Sequence, residues 1–217
     1  MKRIIACEVL RYELESLGVK GEEAIFLQQG LHRIPDELRS TLQEEIDKLE
    51  AGGFRGQIII GYGLCGNGVV GVKTKHCQLV IAKGEDCIDL LFGSRQLHQQ
   101  DIVKGNAYYY SPGWVAFSKN IYTEYQRCVP LYGEETARWI VGEMLKGYSR
   151  ITYIDTGLKF AAQDREYVRK IAATFNLSYD EVRGDLSWLA RLLRAEGDDI
   201  IKVNPGFALE AEQFQGD

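Results

Sequence analysis

Short apolar runs without polar alternation are the feature of this sequence that most constrains its fold. The clearest are QIIIG at residues 57–61 and QLVIAK at residues 78–83. A strand with one face in water carries a polar residue at every second position, whereas a parallel strand covered on both faces is apolar throughout. These runs therefore predict strands that lie between two layers of helices.

Segments with helical spacing of apolar residues separate these runs. Further strands are predicted at residues 2–6, 23–28, 107–111, 151–155 and 199–203, and helices at 8–17, 35–51, 86–97, 134–146, 164–175 and 185–194. Because parallel strands need crossover connections, this order predicts an α/β fold with one largely parallel, Rossmann-like sheet and helices on both faces. Residues 119–132 give no clear pattern.

Length and charge limit the number of domains and the kinds of binding partner. With 217 residues and 45% hydrophobic residues, the chain is predicted to form one α/β domain over residues 1–207, followed by a polar C-terminal tail over 208–217. The formal net charge of −5, with both signs interspersed, argues against a nucleic-acid partner. No leader or membrane-spanning run is recognised, which favours a cytoplasmic protein. The sequence leaves the oligomeric state open.

Three of the five cysteines follow predicted strands. Cys7 follows the first strand, Cys65 the third and Cys87 the fourth. Parallel strands place their carboxyl ends along one edge of a sheet, so we expect these three sulfurs to converge there. Cys77 precedes the fourth strand and is expected at the opposite edge, and Cys128 lies in the segment without a clear pattern. The alternative is that each cysteine only fills space in the core.

Three thiolates are a suitable ligand set for a metal centre. They leave one position open on Zn²⁺, or one iron without a protein ligand on a [4Fe–4S] cluster. Helix N-termini lower the pKa of a thiol, and all three cysteines are predicted to begin helices. The glycines around Cys65 allow backbone amides to approach sulfur. The sequence therefore predicts an iron–sulfur cluster, or alternatively zinc, bound by Cys7, Cys65 and Cys87.

The same loop also fits a nucleotide-binding fingerprint. Gly61-x-Gly63-x-x-Gly66 with Asn67 follows a strand, a short helix is expected after it, and Asp86 follows the next strand. In that interpretation the glycines admit a pyrophosphate and the acidic residue holds a ribose. The loop lacks the Gly-Lys-Ser/Thr of a P-loop.

Several other polar residues are expected near the same edge. His32 and Arg33, in the loop after the second strand, are candidates for proton transfer and for binding an anionic substrate. Tyr110, with Ser111 and Trp114, is a candidate for the wall of a pocket, although core packing explains these residues equally well. His76 and His98 are expected at the surface.

Several segments resemble one family in order and spacing. MKRIIACEVL, LHRIPDEL, IIIGYGLCGNGVVGV, LVIAKGEDCIDLLFGS and YYYSPGW are similar to the family catalogued as domain of unknown function 1638, over roughly residues 2–206. The three cysteines fall on its motif positions. Where members tend to read PRxHDCI, this chain has AKGEDCI and lacks the histidine. The resemblance implies anaerobic one-carbon metabolism and a corrinoid methyltransferase partner, without naming a reaction.

These patterns together predict a protein that binds a metal centre and acts on a small molecule. The open coordination position favours an iron–sulfur lyase or transferase, or a carrier of sulfur, a methyl group or an electron. Two alternatives are a nucleotide-binding protein and a non-enzymatic accessory that delivers metal to a methyltransferase.

Overall fold

The computed structural model describes residues 1–117, 119–159 and 161–215 of the chain. Its strands are β1 (Lys2–Cys7), β2 (Ala24–Leu27), β3 (Gln57–Gly61), β4 (Gln78–Ala82), β5 (Ala107–Tyr110), β6 (Arg150–Asp155), β7 (Ser178–Arg183) and β8 (Ile200–Val203). They form two sheets. One has five strands in the order β2-β1-β3-β4-β8, and the other has three in the order β5-β6-β7.

The α-helices of the described part connect and cover these strands. They are α1 (Arg11–Ser16), α2 (Pro35–Ala51), α3 (Cys87–Phe92), α4 (Arg95–Ile102), α5 (Pro112–Phe117), α6 (Ile121–Tyr132), α7 (Glu134–Met144), α8 (Ala161–Thr174) and α9 (Ser187–Arg194). Short 3-10 turns precede α1 and α2. No helix in these residues is long and apolar enough to cross a membrane.

Both sheets are largely parallel, as the apolar runs predict. Strands β1 to β4 are parallel to their neighbours, β8 pairs antiparallel with β4, and the three-stranded sheet is parallel throughout. Ile58, Ile59 and Ile60 are at most 1% exposed because layers cover both faces of β3. The molecule is thus an α/β protein, and one continuous buried core joins its two sheets.

The structure corrects the sequence prediction in several places. The strands form two sheets instead of one, and β7 and α6 were not predicted. The helix predicted over residues 86–97 is two helices, because Gly93 adopts a left-handed φ of 70° and ends α3 before Ser94 caps α4. The helix predicted after the glycine loop does not form, and residues 62–77 are a loop with one isolated bridge.

The C-terminal segment packs against this loop instead of projecting as a free polar tail. Leu209 and Phe214 are 1% and 2% exposed. The Leu209 amide donates to the Val72 carbonyl at 2.9 Å, and the Gly71 amide donates to the Leu209 carbonyl at 2.8 Å. A bridge between Lys73 and Ala208 continues the pairing. Backbone hydrogen bonds therefore hold the glycine loop from the C-terminal side.

Candidate functional site

Three buried cysteines lie at the carboxyl edge of three adjacent strands. Cys7 is the last residue of β1, Cys65 follows β3, and Cys87 is the first residue of α3 after β4. Their side chains are 2%, 7% and 6% exposed. The Cys7 charge raises the pKa of Cys65, the Cys7 and Cys65 charges raise the pKa of Cys87, and all three raise the pKa of Tyr62. The sheet therefore gathers the three cysteines into one neighbourhood.

Backbone contacts hold the Cys65 loop against the segment before Cys87. The Leu64 amide donates to the Gly84 carbonyl at 2.8 Å, and the Cys65 amide donates to the Glu85 carbonyl at 2.7 Å. A Cβ atom at Gly63 would lie 2.6 Å from the Asp86 nitrogen. Glycine at 63 therefore serves the close approach of the two loops.

The loop turns through a left-handed run at its cysteine. Cys65, Gly66 and Asn67 have φ angles of 47°, 63° and 69°. A left-handed cysteine is uncommon and costs conformational energy, and such residues cluster at functional sites. The run also explains why no helix begins here.

The glycine loop lacks the geometry of a nucleotide fingerprint. No helix N-terminus follows Gly66 in residues 62–77, so the helix that receives the pyrophosphate in that fingerprint is missing there. Gly61 faces the Ala6 side chain across the sheet, where a Cβ would collide with it. The Asp86 carboxylate caps α3, with Oδ1 accepting the Ile88 and Asp89 amides at 2.8 and 3.2 Å.

Burial dominates the acidity of the three thiols. It raises the pKa of Cys7 to about 11 and of Cys65 to about 12, and it raises the pKa of Cys87 as well. The Val9 amide at Cys7 and the Gly63 amide at Cys65 lower the pKa without outweighing burial. The expectation that helix N-termini lower these values is therefore wrong for the metal-free protein, and Cys65 begins no helix.

The three sulfurs do not form a ready-made site for a single ion. On one Zn²⁺, sulfurs held by bonds of about 2.3 Å lie about 4 Å apart. Among residues 1–117, 119–159 and 161–215, the group whose ligand atoms all lie within 4.8 Å of one another is instead Asp86, Asp89 and His98. His98 Nδ1 lies 2.7 Å from Asp89 Oδ1, which is a hydrogen-bond distance. We therefore interpret that group as a carboxylate–imidazole pair beside a helix cap.

A cavity of about 610 Å³ opens beside these residues. Residues from the loops of the five-stranded sheet and from the edge of the three-stranded sheet line it. They include His32, Arg33, Asp86, His98, Tyr108 and Trp114. The cavity thus lies between the two sheets, next to the residue that precedes Cys87.

His32 and Arg33 lie at this cavity, where the sequence placed them near the sheet edge. They belong to a 3-10 turn, Leu31–Arg33, between β2 and α2. Burial, followed by the Arg33 charge, lowers the pKa of His32. Tyr110 instead lies in the core with a fully buried side chain, and its hydroxyl has no hydrogen-bonding partner among the described residues.

His98 is the residue that sequence reasoning misplaced. It was expected at the surface, but it is 7% exposed, and its neighbour Leu97 is 50% exposed. His98 is buried and Leu97 is exposed because Asp89 supplies a buried hydrogen-bonding partner for the imidazole. The available signal was the Gly93-Ser94 pair, which divides the predicted helix and lets α3 and α4 face each other.

The remaining cysteines lie away from this edge. Cys77 precedes β4, is fully buried, and its thiol donates to the Phe54 carbonyl at 3.5 Å. Cys128 is buried on α6, within 3.6 Å of a Glu124 carboxylate oxygen. Both provide matched controls for the three cysteines at the carboxyl edge.

Comparison with known proteins identifies a family. The model described as "Protein of unknown function (DUF1638)" matches residues 26–193, a range that includes Cys65 and Cys87. No curated protein and no solved structure matches the chain significantly. Because the family model covers well over half of the sequence, the chain belongs to the DUF1638 family.

Proposed function

We propose that Cys7, Cys65 and Cys87 bind an iron–sulfur cluster of the [4Fe–4S] type, with one iron left open to a small molecule. The observation that carries this proposal is the set of three buried thiols after adjacent parallel strands, each electrostatically coupled to another. Three protein ligands are one fewer than such a cluster can take. A site of that composition favours chemistry over a purely structural role.

The surroundings of the thiols fit a cluster better than one zinc ion. A cluster distributes its ligands over separate iron atoms, so the sulfurs lie farther apart than on a single ion. The amides of Val9 and Gly63 approach Cys7 and Cys65, where N–H···S bonds stabilise a bound thiolate. The buried Tyr62 hydroxyl faces the Cys7 sulfur and lowers the pKa of that thiol, so it is a further donor to a bound thiolate.

A bound cluster would supply Lewis acidity or electron transfer, and the chain would supply the pocket. The cavity beside Asp86 offers His32 for proton transfer and Arg33 for an anionic group of a small-molecule substrate. A lyase or transferase, or a carrier of sulfur, a methyl group or an electron, agrees with this arrangement. The placement in anaerobic one-carbon metabolism, with a corrinoid methyltransferase as partner, rests on the family resemblance alone.

The decisive experiment is anoxic purification followed by iron, sulfide and zinc analysis. We expect iron and sulfide with a broad absorption band near about 400 nm, and loss of both in Cys65→Ser. Cys77→Ser, at the opposite edge of the same sheet, should retain them. Colourless protein with about one zinc would replace the cluster by the zinc alternative. Full metal content in Cys65→Ser, or no metal in the wild type after anoxic reconstitution, would contradict the proposal.

Metal uptake should be strongly dependent on pH. The thiol pKa values lie above the ordinary range, so the metal-free thiols are protonated at neutral pH and must release protons when they bind. We expect affinity for Cd²⁺, used as a thiolate probe, to rise continuously from pH 6 to pH 8. Calorimetry in buffers of different ionisation enthalpy measures the protons released, and Cys65→Ser should release fewer.

A further inference from the structure

The cavity between the sheets contains a histidine that three neighbours hold in one orientation. His98 Nδ1 lies 2.7 Å from Asp89 Oδ1. The ring stacks on Phe92 with centroids 5.0 Å apart, and it meets the Tyr109 ring edge-on at 5.1 Å. These contacts leave Nε2 without a partner among the described residues, on a side chain that lines the cavity.

The hydrogen bonds of Asp89 determine which imidazole nitrogen carries the proton. Asp89 Oδ2 accepts the Glu85 amide at 2.7 Å, so both carboxylate oxygens act as acceptors. Nδ1 must then donate to Oδ1, and in the neutral ring Nε2 becomes an acceptor. Nε2 is buried and has no partner among the described residues, which carries an energetic cost. A ligand that donates a hydrogen bond would remove that cost.

Two opposite charges face the same cavity. The Arg33 guanidinium forms no ion pair or hydrogen bond with any described residue, whereas Lys146 Nζ lies 3.6 Å from Glu143 Oε2. Asp86 uses Oδ1 to cap α3 and leaves Oδ2 without a hydrogen bond in the described structure. Burial lowers the pKa of His32 most, the Arg33 charge lowers it further, and the Asp86 charge raises it. His32 also lines the cavity. The site therefore offers one free cation and one carboxylate oxygen.

The remaining wall is aromatic. Tyr108, Trp114 and Tyr148 line the cavity, and its volume of about 610 Å³ lies within the roughly 300–1,000 Å³ of small-molecule sites. A ligand that suits this wall has an apolar part in addition to its charged groups.

We propose that this cavity binds a zwitterionic small molecule of the amino-acid class. Its carboxylate contacts Arg33, its ammonium group donates to Asp86 and to His98 Nε2, and its side chain lies against the aromatic wall. Asp89 is a positioning residue, because it fixes the tautomer that makes Nε2 an acceptor. None of these groups is a thiol, so the site does not depend on a metal centre.

Three matched probes test the two charged contacts on the full chain. Phenylalanine carries both groups, phenylacetate only the carboxylate, and phenethylamine only the ammonium. We expect calorimetry or ligand-observed NMR to show phenylalanine binding at least about tenfold more tightly than either partial probe, which equals about 1.4 kcal/mol. Equal affinity for the three probes, or no binding of phenylalanine at about 10 mM, would overturn the proposal.

The variant Asp89→Asn tests the role of the tautomer. The asparagine oxygen can still accept the Glu85 amide while its NH₂ donates to His98 Nδ1, which moves the ring proton to Nε2. A donor at Nε2 opposes an ammonium group, so phenylalanine should bind at least about tenfold more weakly while phenylacetate is unchanged. Equal loss for both probes would mean that Asp89 acts only through stability.

Two further measurements keep the test independent of the folding of that variant. Nitrogen-15 NMR of the histidine rings in the wild type should show the His98 proton on Nδ1, and a proton on Nε2 would overturn the assignment. Arg33 is exposed, so Arg33→Met is expected to fold. It should weaken phenylalanine and phenylacetate but leave phenethylamine unchanged, and retained phenylacetate binding would contradict the anion contact.

Discussion

The two edges of the five-stranded sheet contain the same kinds of residue in opposite states. At the amino edge, the Glu50 carboxylate accepts the amides of Lys75, His76 and Cys77 at 2.7–3.1 Å, and the Cys77 thiol donates to a carbonyl. At the carboxyl edge, His98 Nε2 has no hydrogen-bonding partner in the described part of the chain, and the Tyr62 hydroxyl has only the Cys7 sulfur, a weak acceptor.

This difference distinguishes groups that stabilise the fold from groups that are available to a ligand. Buried polar groups normally form hydrogen bonds. A sheet edge whose buried polar groups lack strong hydrogen-bonding partners therefore either lowers the stability of the fold or is completed by a ligand. The carboxyl edge also holds a left-handed cysteine and adjoins the cavity. The amino edge supplies rigidity, and the carboxyl edge supplies the candidate chemistry.

The largest effect should come from removing the carboxylate that accepts the backbone amides at the amino edge. Glu50→Ala removes the acceptor of three backbone amides, and we expect a loss of about 3–4 kcal/mol in the free energy of unfolding at pH 7. Although burial raises the pKa of Glu50, these amides together hold it below its ordinary value. The stabilisation is therefore present above that ordinary value and is lost as pH falls through the folded pKa.

Urea unfolding at pH 7 and at acid pH measures this effect. Glu44→Ala, on the exposed face of the same helix, is the control and should change stability by less than about 0.5 kcal/mol. If Glu50→Ala were as mild as the control, the amino edge would not be the rigid one.

An intermediate effect of opposite sign is expected at Glu13, whose fully buried carboxyl meets the end of the second sheet. Thr156 donates to Oε1 at 3.1 Å, and Oε2 has no partner in the described structure. Burial raises the pKa of Glu13 from 4.5 to about 7. Its contribution to stability is full below 4.5 and is lost as pH rises through 7.

Glu13→Gln removes this ionisation. At about 1.4 kcal/mol for each pKa unit, the variant should be more stable than the wild type by roughly 3 kcal/mol at pH 8 and equal to it near pH 4.5. Thermal and urea unfolding at the two pH values measure the crossover. Glu15→Gln, on the exposed face of the same helix, should show none. A constant difference at both pH values would show that the carboxyl does not titrate as stated.

The smallest effect is expected from removing a weakly bonded hydroxyl. Tyr62→Phe should change the stability of the metal-free protein by less than about 1 kcal/mol, because the hydroxyl has only the Cys7 sulfur, a weak acceptor, as its partner. Tyr109→Phe is the matched change, and it removes a 2.8 Å hydrogen bond to Asp101, so it should cost about 1–2 kcal/mol. Urea unfolding of both variants ranks them, and a larger cost at Tyr62 would reveal a stronger partner at the carboxyl edge.

The sequence predicts the elements that are apolar or regularly spaced and misses those that are neither. Strands β1, β3 and β4 were predicted to within a residue or two because burial on both faces demands continuous apolar runs. Strand β7, SYDEVR, is half-exposed and charged, so it gives no such signal. Helix α6 contains Pro130 and several tyrosines, which obscure its periodicity.

The division into two sheets and the environment of His98 depend on contacts between distant segments. Equivalent strand patterns are compatible with one sheet or two, since pairing partners are chosen by the tertiary packing. The hydrophobicity of Leu97 and the polarity of His98 predict the wrong one as buried. The contact with Asp89 of α3 is what makes His98 the buried residue of the two. The positions of Cys7, Cys65 and Cys87 after their strands were foreseeable, whereas the spacing of their sulfurs was not.

The pairing of the C-terminal segment with residues 71–73 has a consequence for biosynthesis. A ribosome makes residues 208 and 209 long after Cys65, so the loop that carries Cys65 lacks these backbone partners until they have left the ribosome. A group that bound at Cys65 earlier would meet a loop not yet held in place. Binding is therefore expected to follow the synthesis of Leu209, and a protein cut before Leu209 should hold its Cys65 loop poorly.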